Sequence, residues 1–121
     1  GKPVTITGDG TQMRGFTYLD DIADGVVKAL QPFGYEIINL GGHETITMNE
    51  LLKKIEDRLG KKAVVNYIPK HPADVNANWA EVSKARRMLG WEPKVSLDEG
   101  IDQLVGWYMD NRAWARDIAT P

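Results

Sequence analysis

Residues 4–10 read Val4-Thr5-Ile6-Thr7-Gly8-Asp9-Gly10, a short run rich in β-branched residues that ends in two closely spaced glycines. A run of this kind bounded by glycine is typical of a strand followed by a tight turn, so we predict a strand over Val4–Thr7. Further along the chain, strand-like and helix-like segments alternate without any internal repeat. Such alternation indicates an α/β fold.

Periodicity and capping signals predict about four helices. The first is expected at Leu19–Leu30, where apolar residues recur every three or four positions. Two capping boxes of the form Ser/Thr-x-x-Glu, Thr47–Glu50 and Ser96–Glu99, predict the starts of two longer helices. A short helix is predicted over Ser83–Leu89, and the tail over residues 113–121 is expected to fray.

Two further strands are predicted. Tyr35–Leu40 is an apolar, β-rich run closed by two glycines and predicts a buried strand, while Ala63–Ile68 predicts another. Because the predicted strands are few and short, the sheet is expected to be small or to be completed by parts of the polypeptide missing from these 121 residues. Gly1 is not an initiator residue and a strand follows it after three residues, so we expect these 121 residues to have been cut from a longer protein.

Composition narrows the class of protein. The chain carries 15 Lys and Arg against 17 Asp and Glu, which argues against a general nucleic-acid binder because such proteins present a basic face. It has no cysteine, which excludes a disulfide scaffold, a cysteine-ligated zinc site and a thiol nucleophile. No apolar run approaches the roughly 20 residues of a membrane span. We therefore expect a globular cytoplasmic protein with no membrane or nucleic-acid partner.

The glycine-rich segment 8–15 is the first candidate binding site. Its glycines do not form the dinucleotide fingerprint, and it is not a P-loop because Phe16 stands where that loop requires lysine. Arg14 beside exposed backbone amides suits a diphosphate, since a guanidinium donates two parallel hydrogen bonds to anionic oxygens. From the spacing alone, a turn with a surface arginine is favoured over a binding site.

The loop Pro69–Val75 is the second candidate. Two prolines stiffen it, and Lys70, His71 and Asp74 offer a cation, a titratable ring and an acceptor, as ligand-binding loops at strand ends do. An ordinary connector with solvated charges explains the loop equally well. His43 is expected in a surface loop, and the spacing of the two histidines predicts no metal site.

Four segments, in order along the chain, carry a family resemblance. Residues 8–21 (G-D-G-T-Q-M-R-G-F-T-Y-L-D-D) resemble the pattern G-D-G-x-x-x-R-D-F-x-Y-V-D-D, with Gly15 in place of its second Asp, and residues 35–42 resemble a strand that ends in N-x-G. Residues 74–91 resemble G-D-V…S-K-A…L-G-W, with Ala73 in place of the glycine, and residues 93–101 resemble P…S-L-E-E-G-L. Together they resemble the extended short-chain dehydrogenase/reductases, and nucleotide-sugar 4-epimerases for UDP-glucuronate or UDP-glucose in particular.

This resemblance implies that residues 1–121 are the small C-terminal, substrate-binding part of such an enzyme, without most of the Rossmann domain. In the family an N-terminal domain holds NAD and a Tyr-x-x-x-Lys pair, and the sugar is oxidised transiently at C4. The residues four positions after Tyr18, Tyr35, Tyr67 and Tyr108 are Ile22, Asn39, His71 and Arg112. The chain alone is therefore expected to bind no cofactor and to be inactive. Its expected partners are a UDP-sugar and the N-terminal domain, and a homodimer also stays open.

The resemblance also implies a set of substrate-binding residues. Arg14 matches the arginine that grips the diphosphate, and Asp74 matches an aspartate expected near the ribose. His71 stands where relatives have Arg or Gln, which predicts a weaker, pH-dependent contact. Asn78 stands at a position sometimes occupied by a nucleotide-facing tyrosine. A dehydratase or decarboxylase of the same family, or a non-catalytic binding module, remains an alternative.

Overall fold

Five short strands and four helices follow one another in the computed structural model, which describes residues 2–42 and 44–118. The elements are β1 (Val4–Thr7), β2 (Met13–Phe16), α1 (Leu19–Lys28), β3 (Glu44–Thr47), α2 (Met48–Leu59), β4 (Val65–Ile68), β5 (Ala77–Asn78), α3 (Ser83–Leu89) and α4 (Leu97–Ala115). The predicted α/β class, with few short strands and four helices, is confirmed. The loop expected at His43 lies outside the described residues.

The strands form two small sheets. β1 and β4 pair in parallel, from Val4 opposite Val65 to Thr7 opposite Ile68. β2 lies at the centre of the second sheet, antiparallel to β3 and parallel to β5. The sequence pattern does not predict β2, β3 or β5, because each is only two to four residues long and forms through its pairing partners.

Residues 35–40 do not form the strand that the sequence predicts. The segment carries no strand pairing, and Tyr35 and Ile37 are 89% and 68% exposed. Ile38 and Leu40, by contrast, pack against the core. The alternating pattern typical of a strand is therefore present. The prediction is wrong because a strand also needs a neighbour for its backbone groups, and none lies alongside in the described chain.

One tryptophan lies at the centre of the core. Trp91 is fully buried against Ala85 and Leu89 of α3, directly after the left-handed Gly90 that ends this helix. Its Nε1–H donates to the carbonyl oxygen of Asp21 in α1 at 2.7 Å. This bond satisfies the one polar atom of a large apolar side chain and joins α1 to the residue that follows the end of α3.

α1 turns its polar and small face toward this core. Its buried residues are Asp21 and Gly25, and a Cβ at Gly25 would lie 2.7 Å from Leu40 Cδ1 and 2.9 Å from Trp91 Nε1, so a larger residue there would displace these side chains. The apolar residues on the opposite side of α1 are exposed, namely Leu19 (73%), Val26 (53%) and Val27 (65%), and Leu30, two residues beyond the helix, is 81% exposed. Much of the apolar stripe that predicts the helix is therefore exposed in the described chain, although Ile22 is half-buried.

α2 and α4 begin at the predicted capping boxes, which are confirmed. Thr47 Oγ1 accepts a hydrogen bond from Glu50 N at 3.2 Å, and Ser96 Oγ accepts one from Glu99 N at 3.3 Å. α4 continues to Ala115, and the fraying expected over residues 113–121 stays a prediction, with residues 119–121 outside the described chain. None of the described helices is long and apolar enough to cross a membrane.

Exposed ion pairs connect α2 to α4. Lys54 Nζ and Arg58 Nη2 each lie 2.8 Å from Asp98 Oδ1, and Arg58 Nε donates to Asp102. Hydrogen bonds from Lys54 and Arg58 hold the pKa of Asp98 below its ordinary value. Because these side chains are solvated, each pair contributes little stability.

Candidate functional site

A pocket of about 320 Å³ opens where β1, β2, α2 and the loop after β4 meet. Arg14, His71 and Asp74, three of the four residues predicted to bind substrate, line it together. β1 contributes residues 5–7 and α2 contributes Met48. The volume lies at the low end of the roughly 300–1,000 Å³ typical of small-molecule sites, so the pocket has room for a small ligand or for part of a larger one.

Arg14 is held in place but keeps free donors. Its Nη1 donates to the carbonyl oxygens of Met13 and Val75 at 2.8 and 3.0 Å, and its Nη2 donates to Asp74 Oδ1 at 2.5 Å. A guanidinium has five N–H groups. Two of them, one on Nε and one on Nη2, have no partner in the described part of the chain. A fixed guanidinium with two free donors is suited to an anionic oxygen.

The turn over residues 71–74 positions the other two side chains. Asp74 N donates to the carbonyl oxygen of His71 at 2.9 Å, and Ala73 N donates to His71 Nδ1 at 3.1 Å. Because Nδ1 accepts a hydrogen bond, the neutral ring carries its proton on Nε2. That N–H has no partner among residues 2–42 and 44–118, so His71 brings one more donor to the pocket.

Charge in the pocket is nearly balanced. The side chains of Arg14 and Asp74 are 26% and 23% exposed and form an ion pair, so their charges largely cancel. The pocket therefore offers hydrogen-bond donors in a nearly neutral setting.

The glycine turn next to the pocket is internally hydrogen-bonded. Asp9 Oδ1 accepts from the hydroxyl and backbone N–H of Thr11 at 2.6 and 3.0 Å, and these bonds lower the pKa of Asp9. Gln12 Nε2 donates to the Thr7 carbonyl oxygen at 2.7 Å and fixes the end of β1. The sequence analysis missed Gln12 and Met48 as lining residues. Gln12 lies inside the glycine-rich segment, whereas no local signal marks Met48.

Asn78 is the one predicted site residue that the pocket does not include. It lies opposite Arg14 in the β2–β5 pairing but lines a different, shallow hollow with Asn39 and Trp79. A role for Asn78 in nucleotide binding stays a prediction.

The sequence lacks the two motifs by which the family resemblance would place a dinucleotide cofactor. The sequence has no G-x-x-G-x-x-G loop between a strand and a helix and no Tyr-x-x-x-Lys pair. In the described ranges, no three His, Asp or Glu side chains come close enough together to hold a metal ion. The arrangement can bind and orient an anion, and it presents no nucleophile paired with a base.

Comparisons with known proteins agree on one family. The family model described as GDP-mannose 4,6 dehydratase matches residues 1–104. UDP-glucuronate 4-epimerase of Thermodesulfobacterium geofontis is 50% identical over 111 residues, which cover 91% of this chain and 34% of that protein. UDP-glucuronic acid decarboxylase 2 of Arabidopsis thaliana is 33% identical over 104 residues, covering 86% of this chain and 23% of the relative.

A solved structure shares the fold. The crystal structure of UDP-glucuronic acid 4-epimerase from Bacillus cereus, in complex with UDP-glucuronic acid and NAD, matches with a TM-score of 0.81 at 37% identity. The match covers 91% of this chain and 36% of that one. The chain thus spans about a third, or less, of the length of these relatives.

Proposed function

The chain belongs to the GDP-mannose 4,6-dehydratase family of NAD-dependent nucleotide-sugar epimerases and dehydratases, and from this we propose that it is the UDP-sugar-binding portion of a 4-epimerase. The observation that carries the proposal is the fixed Arg14 guanidinium, with two free N–H groups, in a pocket shared with His71 and Asp74. Its proposed setting is the cytoplasm, in keeping with the absence of cysteine.

Each side chain has a role in this proposal. The free N–H groups of Arg14 hold the diphosphate, and His71 Nε2–H donates one further hydrogen bond. Asp74 keeps Oδ2 for a ribose hydroxyl while its Oδ1 holds Arg14. NAD, bound by chain outside these residues, would supply hydride transfer. The contribution of this chain is binding energy that orients the sugar for that chemistry.

A decarboxylase is the second candidate, favoured by the 33% identical UDP-glucuronic acid decarboxylase 2. The two reactions differ in the fate of the sugar carboxylate. We expect the protein encoded by the whole reading frame to convert UDP-glucuronate without release of CO₂. Stoichiometric CO₂ would instead identify the decarboxylase.

Titration of the ¹⁵N-labelled chain with UDP tests nucleotide binding directly. Amide shifts are expected around Arg14 and residues 71–74. Arg14→Ala should weaken UDP binding roughly tenfold or more, because a charge-assisted hydrogen bond contributes about 1.5–3 kcal/mol. Arg87→Ala is the matched control, since Arg87 is an exposed arginine of α3 outside the pocket. Shifts that persist unchanged in Arg14→Ala would contradict the proposed site.

A further inference from the structure

α4 carries an exposed apolar stripe in addition to the side that packs on the rest of the chain. On the packed side, Ile101 is 5% exposed. The exposed stripe, which we call the α4 seam, consists of Leu104, Trp107, Asn111 and Trp114. Its three apolar residues are 47–56% exposed. Large apolar side chains clustered on the surface indicate an interaction site.

The spacing of the seam residues is that of a coiled coil. They are separated by three, four and three positions, and Ile118, beyond the end of α4, continues the pattern after four more. This alternation is the heptad repeat, in which positions a and d form a narrow strip that faces a second helix. Leu104 and Asn111 then occupy a positions, and the two tryptophans occupy d positions. The seam therefore fits another helix as its partner.

Contacts within α4 order the two tryptophan rings in the absence of a partner. Asn111 Nδ2 donates to the carbonyl oxygen of Trp107 at 2.9 Å, and Asn111 Oδ1 accepts from Trp114 Nε1 at 3.2 Å. The two rings meet edge to face with their centroids 5.7 Å apart. Because the rings are already ordered, docking a partner costs less side-chain entropy. Within the described part of the chain, the Asn111 amide keeps one N–H and one oxygen lone pair for a bond across an interface.

The residues that flank the seam favour two copies of α4 running in the same direction. Gln103 and Asp110 lie on one flank, at heptad position g, and Tyr108 and Ala115 lie on the other, at position e. In a parallel pair, position g of one helix faces position e of the other, so Asp110 meets Ala115 of the second copy and no acid meets an acid. An antiparallel pair sets the flank of Asp110 against the same flank of the second copy, and like charges placed together oppose association.

We infer that the α4 seam pairs in parallel with the α4 seam of a second copy of this chain, so that the two Asn111 amides face each other across a two-fold axis. The family model matches residues 1–104, so Trp107, Asn111 and Trp114 lie beyond the segment that it matches. Each tryptophan offers roughly half of the 150–250 Å² that an aromatic side chain can bury, so the four tryptophans of the pair bury on the order of 400 Å². The whole contact stays below the roughly 1,200 Å² of a stable interface, and the pair is therefore weak and reversible.

Sedimentation equilibrium of the chain tests the pairing. Between about 10 µM and about 1 mM protein, the weight-average mass should rise from one copy toward two. Trp114→Ala should weaken association about tenfold or more, since tryptophans at the centre of an interface carry much of its binding energy. Met109→Ala is the matched control and should leave association unchanged, because Met109 is also 53% exposed but lies outside the seam. Asn111→Leu should tighten association and permit assemblies larger than two, because a polar a position fixes the number of helices at a cost in stability.

Oxidative cross-linking tests the direction of the two helices, since the chain has no cysteine of its own. Asn111→Cys should form a disulfide between copies and Met109→Cys should not. Only a seam position brings its two copies near the roughly 3.5–4.5 Å between Cβ atoms that a disulfide requires.

Four results would overturn the inference. They are a mass of one copy at every concentration, association that Asn111→Leu weakens, equal weakening by Trp114→Ala and Met109→Ala, and equal cross-linking of the two cysteine variants. Association without cross-linking of Asn111→Cys would overturn the parallel arrangement. UDP binding is scored separately, because no residue of α4 lines the pocket of Arg14, so the two proposals fail independently.

Discussion

Replacing Asp21 with alanine is expected to reduce the free energy of unfolding by about 3 kcal/mol. The Asp21 side chain is the one charged group buried in the described residues, at 6% exposure. Its Oδ2 accepts hydrogen bonds from the backbone N–H groups of Lys94 and Val95 at 3.0 and 2.9 Å. A hydrogen bond to a charged group contributes about 1.5–3 kcal/mol, and the lower value applies twice because both amides are only partly buried. The Trp91 bond to the Asp21 carbonyl is unaffected by this change.

Urea unfolding at pH 7, followed by tryptophan fluorescence, measures the effect. Asp21→Asn keeps an oxygen acceptor and loses only the charge, so we expect about half the loss seen with alanine. Asp20→Ala on the same turn is the control, since Asp20 is exposed and contributes only a few tenths of a kcal/mol through the helix dipole. If Asp21→Ala and Asp20→Ala unfold at the same urea concentration, the carboxylate does not anchor α1 to residues 94–95.

Two further outcomes concern packing and acid. Gly42→Ala should lower the free energy of unfolding by about 2 kcal/mol or more, because the Cβ of the new alanine would lie 2.1 Å from the carbonyl oxygen of Phe16. A urea midpoint like that of the unmodified chain would argue against this close approach. The melting temperature should fall as the pH drops below about 4.5. The capping hydroxyls of Thr47 and Ser96 lower the pKa of Glu50 and Glu99 below that value in the folded chain only, so the unfolded state binds more protons in this range. A melting temperature that stays constant from pH 7 to pH 3 would refute this.

Local signals predicted the helices well. Thr47–Glu50 and Ser96–Glu99 close reciprocal hydrogen bonds over three residues, so the starts of α2 and α4 can be read without knowledge of the fold. The same holds for the end of α3 at Gly90, whose positive φ of 59° is a local requirement. These capping signals depend only on residues within about one helical turn of each other.

The pairing of the strands and the side of α1 that faces the core could not be predicted from local sequence signals. Residues 35–40 have the pattern of a strand, but whether a strand forms depends on a neighbour that the described chain does not supply. The stripe of α1 predicts a helix but not which side meets Trp91, because Gly25 allows the closer approach. β2, β3 and β5 depend on contacts between residues distant in sequence.

The candidate site was predictable where motifs cover it. The glycine-rich segment and the family resemblance singled out Arg14, Asp74 and His71, and the structure brings these three together. The walls of the pocket were not predictable, since β1 and Met48 reach it only through the fold. Asn78 was selected by its position in a motif, and it lies at a different hollow.

Whether Arg14 recognises a diphosphate is answered by measuring the affinities of UDP and uridine for the same ¹⁵N-labelled chain. UDP should bind at least about tenfold more tightly than uridine, and this ratio should collapse in Arg14→Ala but not in Arg87→Ala. Equal affinities for UDP and uridine in the unmodified chain would show that the pocket does not hold a diphosphate.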